Sequence, residues 1–219
     1  MKLNIFEAPP SITRKVHPDA IKGPAWMNNM GLTDLADRWK SRTKEVDGDV
    51  LMVNNQLKNL KGGPTIIHGT YNASKNKLTT FEGSPTYVSK DFIVYGNRLT
   101  DFLGLHIEVG GDVDLSNNLF RSLKDIHKHI LHTKTLSIED NPIESHVLGI
   151  FKIKGLEALE FFPQNDVNPK GITADYTETD NKVAKIVNDC FKAHGATNVG
   201  LLECQEQLID AGFHEYAQL

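Results

Sequence analysis

Three histidines crowd one stretch of the chain, His127, His129 and His132, and a fourth, His106, lies 21 residues before His127. Neutral imidazole is a common metal ligand, so this is the first place where chemistry could reside. A helix brings side chains to one face at a spacing of three or four, and on a helix the rings of His127 and His129 diverge. His106 and His127 share a repeat column, described below, and could approach across turns, but no carboxylate column stands beside them. No metal site is expected, and a surface role is the favoured one. A second pairing, Cys190 and His194, has the i, i+4 spacing of a nucleophile and its base. That chemistry needs an exposed thiol of lowered pKa and an oxyanion site. Cys190 instead falls on the apolar side of an amphipathic segment, where a buried structural thiol is expected. No glycine-rich phosphate loop, paired zinc motif or serine elbow is present. No catalytic residue and no cofactor are expected, with a Cys/His activity as the minor alternative.

The bulk properties agree with a folded binding protein. Lys plus Arg is 24 against Asp plus Glu 28, a net charge of −4, which does not suit a general nucleic-acid binder. Hydrophobic residues at 39% and charged residues at 24% are globular values. The longest apolar runs are far too short to span a bilayer, so no membrane partner is expected. The N-terminal residues lack the apolar stretch of a secretory signal, and the two cysteines, Cys190 and Cys204, fit a reducing compartment.

The elements that would position any site come from an internal repeat. Segments beginning at Val46, Ile67, Val88 and Val109 follow one another every 21 residues without a gap. Val50, Tyr71, Phe92 and Val113 make one apolar column, and Met52, Ala73, Val94 and Leu115 the next. Asn55, Asn76, Asn97 and Asn118 follow in register. Then come Leu57, Leu78, Leu99 and Phe120, and after them Leu60, Phe81, Phe102 and Leu123. The period then lengthens to 23, with Leu136, Ile138, Asn141 and Ile143, and again with Leu159, Phe161 and Gln164. An apolar-x-apolar triplet is a very short strand, unstable alone, whereas six stacked copies form a parallel ladder over a continuous core. The Asn column marks the bend after each strand, where an amide side chain satisfies backbone groups left unpaired by the turn. Gly48, Gly69 and Gly111 suit the opposite corner. A residue inserted at Gly83, in the convex loop, is expected to be tolerated, and one at Val94 is not.

This pattern resembles the leucine-rich-repeat family, over residues 46–165. The wording GDVDLSNNLFRSL, NPIESHVLGIFKIKGLEALEF and LLECQEQLIDAGFHEYAQL is similar to leucine-rich-repeat-like proteins of tailed bacteriophages. The resemblance implies an α/β fold: a short solenoid of parallel strands with a mostly loop-like convex side that turns helical, and helical caps at both ends. Residues 1–45 would form the N-terminal cap with one helix, N-capped by Thr33 and presenting Leu32, Leu35, Ala36 and Trp39. Lys15, His17, Lys22, Arg38, Lys40, Arg42 and Lys44 make this part locally basic, read as a solvated face. Residues 46–165 would be the solenoid of about six turns. Residues 166–219 would be a polar linker and a helical C-terminal cap, with a separate partner-binding helical module as the alternative. The helices carry Val183, Ile186, Val187, Cys190 and Phe191, then Leu201, Leu202, Leu208, Ile209, Phe213 and Tyr216, with stops at Gly195 and Gly212.

Strand alternation leaves a second set of side chains on the solenoid's concave face: Leu51 and Val53, Asn72 and Ser74, Ile93 and Tyr95, Asp114 and Ser116, Ser137 and Glu139. One half is apolar and aromatic, the other polar and acidic. Either the N-terminal segment folds over the apolar half, or β propensity chose these residues, or they bind. Tyr95, Ile93, Leu51, Val53, Asp114 and Glu139 are therefore the candidate partner-binding residues, and Asn55, Asn76, Asn97, Asn118 and Asn141 the structural ladder. The expected function is non-enzymatic protein binding. With the phage resemblance, the partner would be a host defence, transcription or replication component met in the host cytoplasm. The alternative is a virion or assembly component, with self-association open in either case.

Overall fold

The computed structural model describes residues 14–35, 44–161 and 177–219. Among these residues, thirteen short strands alternate between two walls: β1 (Ile21–Lys22), β2 (Ala25–Trp26), β3 (Glu45–Asp47), β4 (Val50–Leu51), β5 (Ile66–Ile67), β6 (Tyr71–Asn72), β7 (Tyr87–Val88), β8 (Phe92–Ile93), β9 (Ile107–Val109), β10 (Asp112–Asp114), β11 (Ile130–His132), β12 (Thr135–Ser137) and β13 (Ala158–Glu160). The odd strands from β1 to β11 form a six-stranded parallel sheet, and β13-β12-β10-β8-β6-β4-β2 a seven-stranded one. The chain is thus a β-solenoid of about six turns, with a two- or three-residue corner between the two strands of each turn. All six strand positions read from the repeat, at 50, 71, 92, 113, 136 and 159, lie on the seven-stranded sheet.

The sequence reading placed one strand in each turn, and the structure has two. The second sheet arises where only a glycine corner was expected, because Val46, Ile67, Val88 and Val109 also point inward and pair with one another in parallel. The solenoid also begins one turn early. Within the segment assigned to an N-terminal cap, Ile21 pairs with Val46 and Ala25 with Val50. Leu32 to Leu35, where the N-terminal helix was to start, are not helical, and its remainder falls at 36–43, outside the described residues. Gln164 and most of the polar linker lie outside them too.

On the remaining side of each turn, loops give way to helix as the period lengthens. A single turn, α1 (Ile126–His129), runs directly into β11, and a 3-10 helix covers Val147–Lys152. Ile126, Ile130, Val147, Leu148 and Phe151 are all buried, as the spacing predicts. Helix α2 (Glu178–His194) starts in a capping box, with Thr177 and Asp180 exchanging hydrogen bonds, and ends at Gly195, whose φ is positive. Helix α3 (Asn198–Asp210) begins at Thr197, whose hydroxyl accepts from the Gly200 N–H. Val183, Val187, Cys190, Phe191, Leu201 and Leu208 join the solenoid's core, whereas Leu202 and Ile209 point outward. The C-terminal tail is tied to the last turns by Tyr216, whose hydroxyl donates to the Ile143 carbonyl at 3.3 Å.

The buried asparagines hold the turns in register. Asn97 Oδ1 accepts the Leu78 N–H of the preceding turn at 3.0 Å, while its Nδ2 donates to Ala73 O at 3.1 Å and Val94 O at 2.9 Å. Asn76, Asn118 and Asn141 repeat this pattern, and Asn55 serves the same purpose toward Met30, Leu32 and Met27. The residue before each ladder asparagine has a positive φ: Asn54, Lys75, Gly96, Asn117 and Asp140. A second left-handed column sits at Gly62, Gly83, Gly104, Asp125 and His146. Gly83 belongs to it and cannot be treated as a free loop residue. A Cβ there would lie 2.3 Å from the Leu60 carbonyl carbon of the turn below, so neighbouring loops pack backbone against backbone and a side chain has no room at this position.

Two outcomes follow for stability. Asn97→Ala leaves the Leu78 N–H without its acceptor in a dry interior and takes one of two donors from each of Ala73 O and Val94 O; it is expected to lower unfolding free energy by about 1–3 kcal/mol, measured by denaturant titration. Tyr71 is fully buried, its ring 5.7 Å from that of Phe92, and its hydroxyl has no hydrogen-bond partner. Tyr71→Phe removes only that unsatisfied group and is expected to raise stability by about 1 kcal/mol. A substantial loss in the same titration would show that the hydroxyl is satisfied.

Candidate functional site

The histidines do not converge. His129 Nδ1 lies 3.0 Å from Leu105 O with its ring stacked on Phe102, and His132 Nδ1 lies 2.9 Å from Val109 O. Each is taken up by a carbonyl of the preceding turn. His127 Nδ1 is buried with no partner, and burial, helped by the Lys152 charge, holds that ring's pKa below the usual histidine value. His106 is exposed. Among the described residues, no group of three or more His, Cys, Asp or Glu is placed to hold a metal ion. Cys190 is buried against Cys204 of α3, and burial pushes its thiol up, the opposite of what a nucleophile needs. His194, one turn on, is exposed.

A titratable cluster that the repeat did not reveal lies on the outside of the six-stranded sheet. Residues 14–20 run across this face before entering β1. The His17 N–H donates to Glu45 Oε1 at 2.8 Å, and His68 Nε2 meets the same oxygen at 2.6 Å. Farther along, the Arg14 N–H donates to the Tyr87 hydroxyl at 3.3 Å, its guanidinium lies 5.0 Å from the Tyr87 ring centroid, and Glu108 approaches it at 3.9 Å. These contacts strap the N-terminal segment onto the sheet. They use the polar edges of Glu45, His68 and Tyr87, all buried or nearly so. The basic residues divide accordingly: Lys22 pairs with Asp47 at 3.1 Å, while Arg38, Lys40 and Arg42 lie outside the described residues.

The outside of the seven-stranded sheet is different. Strand pairing sets Trp26, Leu51, Asn72, Ile93, Asp114, Ser137 and Glu160 in one column. Backbone hydrogen bonds set Val53, Ser74, Tyr95, Ser116 and Glu139 in the next. Leu51, Val53, Ile93, Tyr95, Asp114 and Glu139 are all partly exposed, and residues 14–20 lie on the other sheet and do not cover them. Lys75 Nζ stands 5.6 Å from the Tyr95 ring centroid. Ser74 departs from expectation and is buried, a small side chain flanked by Val53 and Tyr95 that also hydrogen-bonds the Asn72 amide oxygen. The reading from sequence missed Trp26, which is 70% exposed. Its signal was present, since AWMNN at 25–29 parallels VLMVNN at 50–55, but the offset of 25 residues hid it.

At the far end, Asp114, Glu139 and Glu160 have no cationic partner among the described residues. Burial, together with the charges of Glu160, Asp140 and Asp114, pushes the Glu139 carboxyl above the usual carboxylate range. Asp114 Oδ1 accepts from the Ser116 N–H at 2.9 Å, which fixes its carboxylate at the strand end. The face therefore runs from an aromatic and aliphatic end to one of concentrated negative charge.

The strap carries a pH dependence. Burial alone raises the Glu45 carboxyl, but hydrogen bonds from the His17 backbone and from His68, with the charge of both rings, outweigh it and hold that carboxyl below its ordinary value. A carboxylate with a depressed folded-state pKa stabilises fully above the ordinary carboxylate range and loses that contribution as pH falls through the folded value. Between about pH 6 and pH 3 the wild type is expected to lose melting temperature more steeply than Glu45→Gln. Parallel profiles for the two would remove Glu45 from the acid sensitivity.

No helix among the described residues is long and apolar enough to cross a membrane. No protein-family model and no curated protein matches this chain significantly.

Proposed function

We propose that the chain is a non-enzymatic protein-binding molecule that engages its partner through the outward face of the seven-stranded sheet. The observation that carries this reading is Trp26, exposed beside the partly exposed Leu51, Val53, Ile93 and Tyr95 on a sheet face that the strap leaves open. An aromatic-aliphatic patch of this kind has no packing role, because the inward columns already fill the core, and such patches on soluble proteins mark interaction sites. On the strength of the leucine-rich-repeat-like pattern and its similarity to phage sequences, the partner is a host protein of defence, transcription or replication, met in the host cytoplasm.

The test is affinity purification of the tagged chain from infected cells, run beside mass spectrometry of purified particles. Specific co-purification of a host protein, with the chain absent from particles, is the expected outcome. Abundance in particles with no host protein retained would favour a virion component. Binding energy in protein interfaces concentrates in a few anchors. Trp26→Ala and Tyr95→Ala are each expected to weaken the complex by about 2 kcal/mol with little change in melting temperature. Asn72→Ala, on the same face but polar, is expected to do far less, and equal effects from all three would place the interface elsewhere.

A further inference from the structure

The two ends of the open face differ in chemistry, and their order fixes the chemistry of what fits. Along the register column the side chains read Trp26, Leu51, Asn72, Ile93, Asp114, Ser137, Glu160. Adjacent strands lie about 4.8 Å apart, so the column spans roughly 29 Å. Its first four places include three large apolar side chains, and its last three include two carboxylates, with Glu139 beside them in the neighbouring column. Several carboxylates elsewhere on the surface have cationic partners: Asp47 with Lys22, Glu82 with Lys61, Glu144 with Arg121. Asp114, Glu139 and Glu160 are left uncompensated, and like charges held together at a partly dehydrated surface repel one another. A partner that brings positive charge relieves this repulsion, while one that brings only apolar surface leaves the acidic end unmatched. A polyanion such as nucleic acid would be repelled from the same end.

Building on the protein-binding reading above, we infer that the face takes a bipartite protein segment, with an aromatic or aliphatic anchor seated on Trp26, Leu51 and Ile93 and Lys or Arg side chains directed at Asp114, Glu139 and Glu160. The apolar contact supplies most of the affinity, and the charge pairs fix direction and exclude acidic competitors. A helix of about 20 residues or an extended segment of about nine covers this length. The basic groups must lie toward one end of the segment, about 5 Å beyond the part seated on Ile93 and roughly 14 Å beyond the part seated on Leu51, one and three strand spacings respectively.

Selection of a random displayed peptide library on the immobilised full chain tests this without knowledge of the natural partner. Enriched peptides should carry an aromatic or aliphatic cluster at one end and two or more Lys or Arg at the other. Their affinity should fall about tenfold or more in the triple variant Asp114→Asn, Glu139→Gln, Glu160→Gln, and also in Trp26→Ala. Because Asp114 also holds a turn, two readouts avoid that substitution. Glu160→Gln alone changes an exposed side chain, and raising salt from about 50 to 500 mM screens charge pairs in the unaltered chain; each should weaken binding severalfold. Peptides that need Trp26 or Tyr95 but show no basic bias and no response to Glu160→Gln or salt would overturn the bipartite partner and leave the protein-binding reading standing. Peptides indifferent to Trp26, Tyr95 and the carboxylates alike, or no enrichment over an unrelated control protein, would overturn both.

Discussion

In four successive turns the carbonyl near the end of the repeat strand is claimed by two asparagines, that of its own turn and that of the next. Ala73 O receives Asn76 at 3.0 Å and Asn97 at 3.1 Å, Val94 O receives Asn97 and Asn118, and Leu115 O receives Asn118 and Asn141. Every amide therefore bridges two turns, while its oxygen takes an N–H from the turn before. Inside a dry core such groups are costly if left unpaired, so the ladder tolerates one spacing of turns and one register. Two-residue strands could not set that register alone. They contribute few backbone hydrogen bonds each, and the asparagines supply the missing specification.

Holding the amide in place demands a sharp bend, and the chain makes it with a left-handed residue just before each ladder asparagine. Asn, Gly and Asp occupy most of these positions, and they adopt that conformation at low cost. Lys75 is the exception, and it reaches over the Tyr95 ring. The second left-handed column passes from Gly62, Gly83 and Gly104 to Asp125 and His146. This change accompanies the replacement of loops by α1 and the 3-10 helix. In the early turns adjacent loops stack so closely that a side chain has no room, as at Gly83. In the later turns short helices separate the loops, and side chains return.

With the interior fixed in this way, the two outer faces are free to diverge. The six-stranded sheet is covered by its own N-terminal segment, which draws Glu45, His68 and Tyr87 into hydrogen bonds and an aromatic contact. The seven-stranded sheet keeps its outward column open and graded from apolar to acidic. Binding surfaces placed on a rigid ladder are preorganised, so little conformational entropy is lost when a partner docks.

The sequence alone determined the period, the inward columns, the asparagine ladder and the amphipathic side of α2, because each reflects a local rule: strand alternation, helix spacing, or a turn that needs a particular side chain. It also separated the apolar from the acidic half of the outward face. Four features required the tertiary structure. The second strand in each turn is a pair of residues beside a corner, and it becomes a strand only when stacked neighbours supply its hydrogen bonds. The early turn at Ile21 to Trp26 is offset by 25 residues and lacks the ladder asparagine, since Met30 stands in that place and donates its N–H to Asn55. Glu45 opens β3 and His68 directly follows β5, and nothing in their types marks them as partners until the strap closes over them. The burial of Ser74 and the close approach at Gly83 depend on which larger groups lie in the adjoining turns. Local periodicity dictates which way a side chain points, but what it meets there is decided by the closure of one turn upon another.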